Sequence, residues 1–386
     1  MVLTTEKLIQ GGAALATTRD GKKVFIPDAL PGETVEVSLV ASKAGYCTAT
    51  IDRILEPSTD RIVPPCHYYS ICGGCDFQYA APPVQAQLKQ TIVEDNLRRI
   101  GGVDVDSVRW EPPAQDRSWR YRTRARFHVD IQSKSVGFLA RKSNSLVALD
   151  DCPILSERLN TLLSEPQRLF QVARKTMLHG KKGSRKDYAQ VSAFCGDDGI
   201  SLEGEDVALT LDGHRFMVTN DVFFQSNPFV LPVMAKYVAS KAEGAFVMDL
   251  YSGVGTFSAF LAQPGRKVIA VERDPKCLRL AKQNVPDCEF YTSAVENWAK
   301  GPTYPIDTVV VDPPRVGLEV SVPSLIASFK PKRIIYVSCN SVTLARDLQR
   351  LRKEGYTLVE ARMFDLYVQT FHHEVVAILE KKETFS

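Results

Sequence analysis

The stretch VMDLYSGVGTF, residues 247–257, runs from an apolar strand through a glycine-containing turn into a helix-like segment. Gly253 and Gly255 let the backbone turn tightly and approach a ligand without Cβ interference. A dinucleotide fingerprint is incomplete here, because Ser258 stands where a third glycine would be. Asp249, at the strand end, also disfavours a pyrophosphate. The next strand, VIAVERD, ends in Glu272, a carboxylate suited to a ribose diol. An acidic strand end, a short G-x-G and a ribose carboxylate fit S-adenosylmethionine better than a dinucleotide.

The same rhythm continues on both sides of this turn. From residue 223 onward the short apolar runs AFVMDL, KVIAVE, CEFYTS, DTVVVD and RIIYVSC alternate with helical stretches. That pattern predicts a doubly wound parallel sheet, a Rossmann-like domain over residues 223–386. VVVDPPRVGL (309–318) puts Asp312 at a strand end, and Pro313 and Pro314 stiffen the turn because they cannot continue the ladder. Such a loop holds Asp312 and Arg315 at the C-terminal edge of the sheet, where sites of this architecture lie. RIIYVSCNSVTLARD (333–347) places Cys339 just past a strand on the same edge, and FHHEVVAILEKK (371–382) brings Glu374 to the start of another.

A cysteine, a carboxylate and a methyl donor point to one chemistry. Uracil C5 is a poor nucleophile, but a thiolate added at C6 generates an enolate whose C5 attacks a sulfonium methyl. A base must then remove the C5 proton so that the cysteine can leave. Cys339 and Glu374 suit these roles. Against this stands the ordinary behaviour of a free cysteine, a small buried hydrophobe.

Upstream, residues 1–58 contain short β-rich runs (KVFIPD, TVEVSLVA, CTATIDRIL) separated by turns at DG, PGE and KAG. So many short strands in so few residues predict a small closed barrel of the OB type. Residues 59–222 read as an α+β central domain with mostly antiparallel strands. Within it, VQAQLKQTIVEDNLRRIGG (84–102) predicts a helix closed by Gly101-Gly102, free to pack on the C-terminal domain.

Net charge is only +3, so overall charge announces no nucleic-acid partner. Its distribution says more. SWRYRTRARFH (118–128) alternates Arg120, Arg122, Arg124 and Arg126 with other residues, which puts all four on one strand face, as tracking a phosphate backbone requires. HGKKGSRKD (179–187) is a second basic run. No apolar run reaches the roughly 20 residues of a membrane span, and no leader is evident, so a cytoplasmic, monomeric protein is expected. A reducing compartment makes metal or catalysis a better use of the nine cysteines than disulfides. Cys66, Cys72 and Cys75 fall in CHYYSICGGCDFQYA, and Cys152 follows in DDCPIL. Four thiolates suit tetrahedral zinc or an iron–sulfur cluster, and spacing does not choose between them.

Taken together, DLYSGVGTF, FFQSNP (223–228), DPPR, YVSCNSVTLARDL and HHEVV resemble the RNA uracil-5-methyltransferase family over nearly the whole chain. The resemblance implies a TRAM-type RNA-binding barrel, a 4Fe-4S cluster on the four cysteines and a methyltransferase domain that uses S-adenosylmethionine. It implies Cys339 as nucleophile, Glu374 as proton-abstracting base, and Asp312 and Gln225 beside the flipped uracil and the cofactor. Tyr251, Gly253, Thr256 and Glu272 match cofactor positions, along with Asp249 and Gly255 of the same turn. Members with both barrel and cysteine cluster act mostly on 23S rRNA, and tRNA is the alternative substrate. Two other classes compete: a non-catalytic iron–sulfur RNA-binding protein, and an N- or O-methyltransferase, which needs no cysteine nucleophile.

Overall fold

The computed structural model describes residues 1–179, 188–298, 301–302 and 304–382. Residues 180–187, most of the second basic run, lie outside the described residues. The strands Val2–Leu8, Ala14–Thr17, Lys23–Ile26, Thr34–Ser42 and Tyr46–Glu56 close into a barrel. Alternation fills it: Val24, Ile26, Val35 and Val37 point inward beside Leu8 and Leu30, as period-two patterning requires. Phe77, Tyr79 and Ile92 complete this core from outside the barrel.

Arg124–Asp130 is the middle strand of an antiparallel five-stranded sheet, between Ala189–Cys195 and Ser135–Leu139. Tyr121, Thr123, Ala125, Phe127 and Val129 are buried on one face, leaving Arg122, Arg124, Arg126 and His128 on the other.

The third sheet has eight strands. Its parallel part runs Glu289–Thr292, Lys267–Glu272, Phe246–Leu250, Thr308–Val311 and Arg333–Ser338. Chain order proceeds outward from Phe246–Leu250 in one direction and then resumes on its other side. The crevice between Phe246–Leu250 and Thr308–Val311 is therefore the topological switch point, where ligands of open α/β sheets bind. The backbone N–H of Asp312 reaches the Leu250 carbonyl at 3.3 Å, so the cofactor turn and the Asp-Pro-Pro turn lie side by side.

The sheet is not parallel throughout, as the alternating pattern had predicted. Glu374–Lys381 runs antiparallel to both Arg333–Ser338 and Tyr356–Phe364. The loop between the two C-terminal strands carries no helix, and a parallel return needs a crossover of a dozen or more residues. The sheet also crosses the boundary expected at residue 222: Arg109–Ala114 joins it beside Tyr356–Phe364. The hairpin Val207–Leu211/His214–Val218 likewise buries Leu209 and Phe216 in the core of one sheet face. The helix Pro82–Arg99 covers the other face through Val93 and Leu97. It begins earlier than its periodicity predicted because prolines are well suited to the first helical turn.

Lys89 of this helix is wholly buried and contacts Asp365 Oδ1 at 2.7 Å, also buried. Gln85 donates to Gln369 Oε1 at 3.0 Å and accepts from its backbone N–H at 2.8 Å. These polar ties fix the helix to the loop that delivers Glu374. No helix among the described residues is long and apolar enough to cross a membrane.

Candidate active site

A single cavity of about 1110 Å³ receives the cofactor turn, the Asp-Pro-Pro turn, Cys339, Glu374, Gln225 and the four clustered cysteines. Backbone geometry builds the turn. Tyr251 has φ 64° and lines the cavity, a left-handed conformation that a non-glycine residue adopts at a cost and that clusters at functional sites. Gly253 donates its N–H to Glu272 Oε2 at 2.9 Å, and Asp274 donates to Oε1 at 2.7 Å. Glu272 thus ties two loops together while its side chain stays on the cavity wall with Gly253 and Thr256.

Two residues expected to face the cofactor do not line the cavity. Asp249 is fully buried beneath the turn and accepts from Ser258 Oγ at 2.6 Å. Burial pushes its carboxyl up to about 7. Gly255 is needed for its φ of 85° and because a Cβ there would sit 3.1 Å from Val285. The strand-to-helix joint requires both residues for packing, which sequence cannot distinguish from ligand contact.

Asp312, Cys339 and Glu374 converge from three strand ends. Burial, and then the charge on Asp249, pushes Asp312 up to about 7. Burial and the Asp312 charge hold Glu374 well above the usual carboxylate range. Its Oε1 accepts from Gln225 Nε2 at 3.5 Å. Its buried Oε2 has no hydrogen-bond partner among the described residues. The Cys339 thiol is pushed up to about 12, first by burial and then by Glu374 and Asp312, while Arg315 opposes the shift through its charge and a hydrogen bond.

Arg315 also donates to His372 Nδ1 at 3.0 Å. Burial, and then Arg315, lowers His372 to about 4, so it is neutral and accepts. His373 is buried against Ser341 Oγ at 3.2 Å. Phe223 stands exposed at the cavity wall and Phe224 is core. Tyr367, half-buried beside Gln225 in the cavity wall, has no signal in the sequence beyond a tyrosine seven residues before Glu374.

Arg122, Arg124 and Arg126 share a face, but the four arginines have different partners. Arg120 pairs with Asp151 at 2.7 Å. The Arg124 guanidinium donates to the carbonyls of Val222 and Asn220, and burial lowers its pKa. The Arg124 guanidinium is taken up within the chain, as a buried guanidinium must satisfy its own donors, and Arg120 is held, partly exposed, by Asp151. Arg122 and Arg126 line the cavity.

Cys66, Cys72, Cys75 and Cys152 share one end of the cavity. Each is near enough to another for its charge to be felt: Cys66 at Cys72, and Cys72 at both Cys75 and Cys152. Gly74 donates its N–H to Cys72 Sγ at 3.4 Å. Gly73 lies so close to the Leu139 carbonyl that a Cβ would stand 3.0 Å from it. Among the described residues, no group of three or more His, Cys, Asp or Glu side chains is arranged to hold a metal ion.

Residues 300–382 match the family described as tRNA (Uracil-5-)-methyltransferase. A 23S rRNA (uracil(1939)-C(5))-methyltransferase RlmD from Shewanella amazonensis is 33% identical over 98% of this chain and 95% of its own length. The chain belongs to the RNA uracil-5-methyltransferase family. Another relative, an uncharacterized RNA methyltransferase from Treponema denticola, is 30% identical over 98% of this chain and 99% of its own. The fold also matches that of Pyrococcus abyssi tRNA (uracil-54, C5)-methyltransferase in complex with S-adenosyl-L-homocysteine. That match has a TM-score of 0.74 at 21% identity, over 98% of this chain and 99% of that one.

Proposed function

We propose that this chain methylates uridine C5 in 23S rRNA with S-adenosylmethionine, through a Cys339 adduct at C6 and proton abstraction by Glu374. The observation that carries this reading is the convergence of Cys339 and Glu374, with its unpartnered Oε2, on the cavity that also receives the glycine turn. Tyr251, Gly253, Thr256 and Glu272 hold the cofactor, which supplies an electrophilic methyl group. Asp312 and Gln225 hold the base. An RNA base must leave its stack to reach a thiol and a carboxylate walled in on this scale. Arg315 stabilises the Cys339 thiolate as it forms and attacks C6. Glu374 then takes the C5 proton, its raised pKa making it a stronger base than an ordinary carboxylate.

The RlmD relative, aligned along nearly the whole chain, favours 23S rRNA; the matched family's name keeps tRNA as the second reading. Arg122 and Arg126 contact the RNA backbone, and the N-terminal barrel, residues 1–58, binds RNA as a TRAM domain. Residues 59–222 carry the cysteine cluster and the RNA-facing strand, while 223–386 form the catalytic domain together with Arg109–Ala114, the hairpin Val207–Val218 and the helix Pro82–Arg99. The protein works as a cytoplasmic monomer.

We further propose a 4Fe-4S cluster on Cys66, Cys72, Cys75 and Cys152. A zinc ion draws four sulfurs to about 2.3 Å from one point. The four thiols line one cavity, and zinc is the alternative their residue types leave open. The Gly74 N–H on Cys72 Sγ is the kind of donor that tunes such clusters. Its role here is to pin the cysteine loop to the five-stranded sheet. Mapping 5-methyluridine in ribosomal and transfer RNA from cells with and without the gene tests the activity. Loss of one rRNA site is expected, loss confined to tRNA selects the second reading, and no loss refutes both.

A further inference from the structure

Tyr367 is half-buried in the cavity wall, and its hydroxyl donates to Gln225 Oε1 at 2.7 Å. Gln225 Nε2 in turn donates to Glu374 Oε1 at 3.5 Å. An amide can turn over and exchange its oxygen for its nitrogen. Here both ends have a partner, the Tyr367 hydroxyl at the oxygen and Glu374 Oε1 at the nitrogen. Burial, and then the charge of Glu374, pushes the Tyr367 hydroxyl far above its ordinary range, so it keeps its proton and remains a donor.

One Gln225 N–H is used by Glu374, and the second remains for whatever occupies the cavity. Uracil presents an acceptor at O4, where cytosine presents an amino donor. A glutamine locked with its amino group outward accepts the first and opposes the second. A glutamine free to turn over could serve either.

We propose that Tyr367 is a positioning residue that sets the selectivity of this enzyme for uracil over cytosine, by locking the Gln225 amide with its donor side toward the base. The proposal rests on the uridine reading above and adds what enforces it. Tyr367 lies seven residues before the strand that begins at Glu374, and its hydroxyl is taken up by Gln225, so its loss should change selectivity more than binding.

The experiment uses large-subunit rRNA and tRNA transcripts carrying 5-fluorouridine in place of uridine, or 5-fluorocytidine in place of cytidine. Each is incubated with the full-length protein and S-adenosylmethionine. Fluorine at C5 cannot leave as a proton, so any C6 adduct persists and is counted on a denaturing gel. Wild type should capture the 5-fluorouridine transcript and reject the other. Tyr367→Phe should narrow that ratio by about 10–100-fold, the scale of one buried donor left unmatched, with melting temperature and S-adenosylhomocysteine affinity unchanged. An unchanged ratio in folded Tyr367→Phe, or an equal fall in both captures, overturns the proposal. Failure of wild type to capture either transcript overturns the uridine reading, and the proposal with it. If Tyr367→Phe does not fold, Tyr367→Met fills similar space without a donor and is read in the same way.

Discussion

Replacing Glu374 with glutamine should convert the enzyme into a trap for its own intermediate. The glutamine fits the same buried volume, where Glu374 is 1% exposed, but it cannot take a proton. Loss of a general base typically slows a step about 10²–10⁴-fold, and the slowed step here comes after methyl transfer. The earlier step should not suffer. Cys339 is held at about 12, so at pH 8, about 4 units below, roughly one thiol in 10⁴ is ionised. Glu374 is the largest cause of that elevation after burial. Removing its charge therefore increases the thiolate fraction, and adduct formation should be at least as fast as in wild type. A protein–RNA conjugate should accumulate that survives denaturant and carries label from the methyl donor. Denaturing electrophoresis with labelled S-adenosylmethionine, followed by peptide mapping, reads both the yield and the attachment site. Normal turnover by Glu374→Gln would remove Glu374 from the mechanism. A conjugate without the methyl label would place its action before methyl transfer, and attachment at another cysteine would refute the role of Cys339.

Further expectations concern the rest of the molecule. Arg122→Ala with Arg126→Ala should weaken RNA binding and reduce the salt slope by about 1.4–1.8, two phosphate contacts at roughly 0.7–0.9 each; an unchanged slope refutes phosphate contact by both residues. Anaerobically purified protein should be brown with about four irons per chain, and Cys72→Ser should lose the colour; stoichiometric zinc without visible absorbance refutes the cluster. Lys89→Ala leaves Asp365 buried and uncompensated, and should cost about 3–5 kcal/mol in denaturant unfolding. Asp249 is held at about 7 in the folded chain against 3.8 ordinarily, so between those values the folded state binds more protons and stability falls as pH rises. The gain in melting temperature from Asp249→Asn should accordingly be smallest near pH 4 and largest above pH 7; a constant difference across that range contradicts the assignment.

Much of the site was legible because strand ends are legible. Asp312, Cys339 and Glu374 each follow or begin a β-branched run, and period-two patterning locates such runs without tertiary information. The cysteine spacing and the glycine turn are equally local. Asp249 and Gly255 show where local reading stops: both lie in the right motif, yet one anchors Ser258 beneath the turn and the other clears Val285. Arg120 and Arg124 show the same for charge patterning. Alternation put them on one face, but their partners, Asp151 and the carbonyls of Asn220 and Val222, come from distant segments.

The sequence alone determined which chemistry was available: a thiol, two carboxylates, a methyl-donor turn and four further thiols. These follow from residue type and from periods of two and 3.6, which are properties of the chain itself. Tertiary structure decided which of these groups share a cavity and how their charges bear on one another. Burial, and then Asp312 from another strand, raise Glu374, and Arg315 from the neighbouring turn opposes the elevation of Cys339. Tyr367 meets Gln225 across 142 residues of chain. The physical reason is that burial and Coulombic interaction depend on distance in space, which sequence separation does not encode.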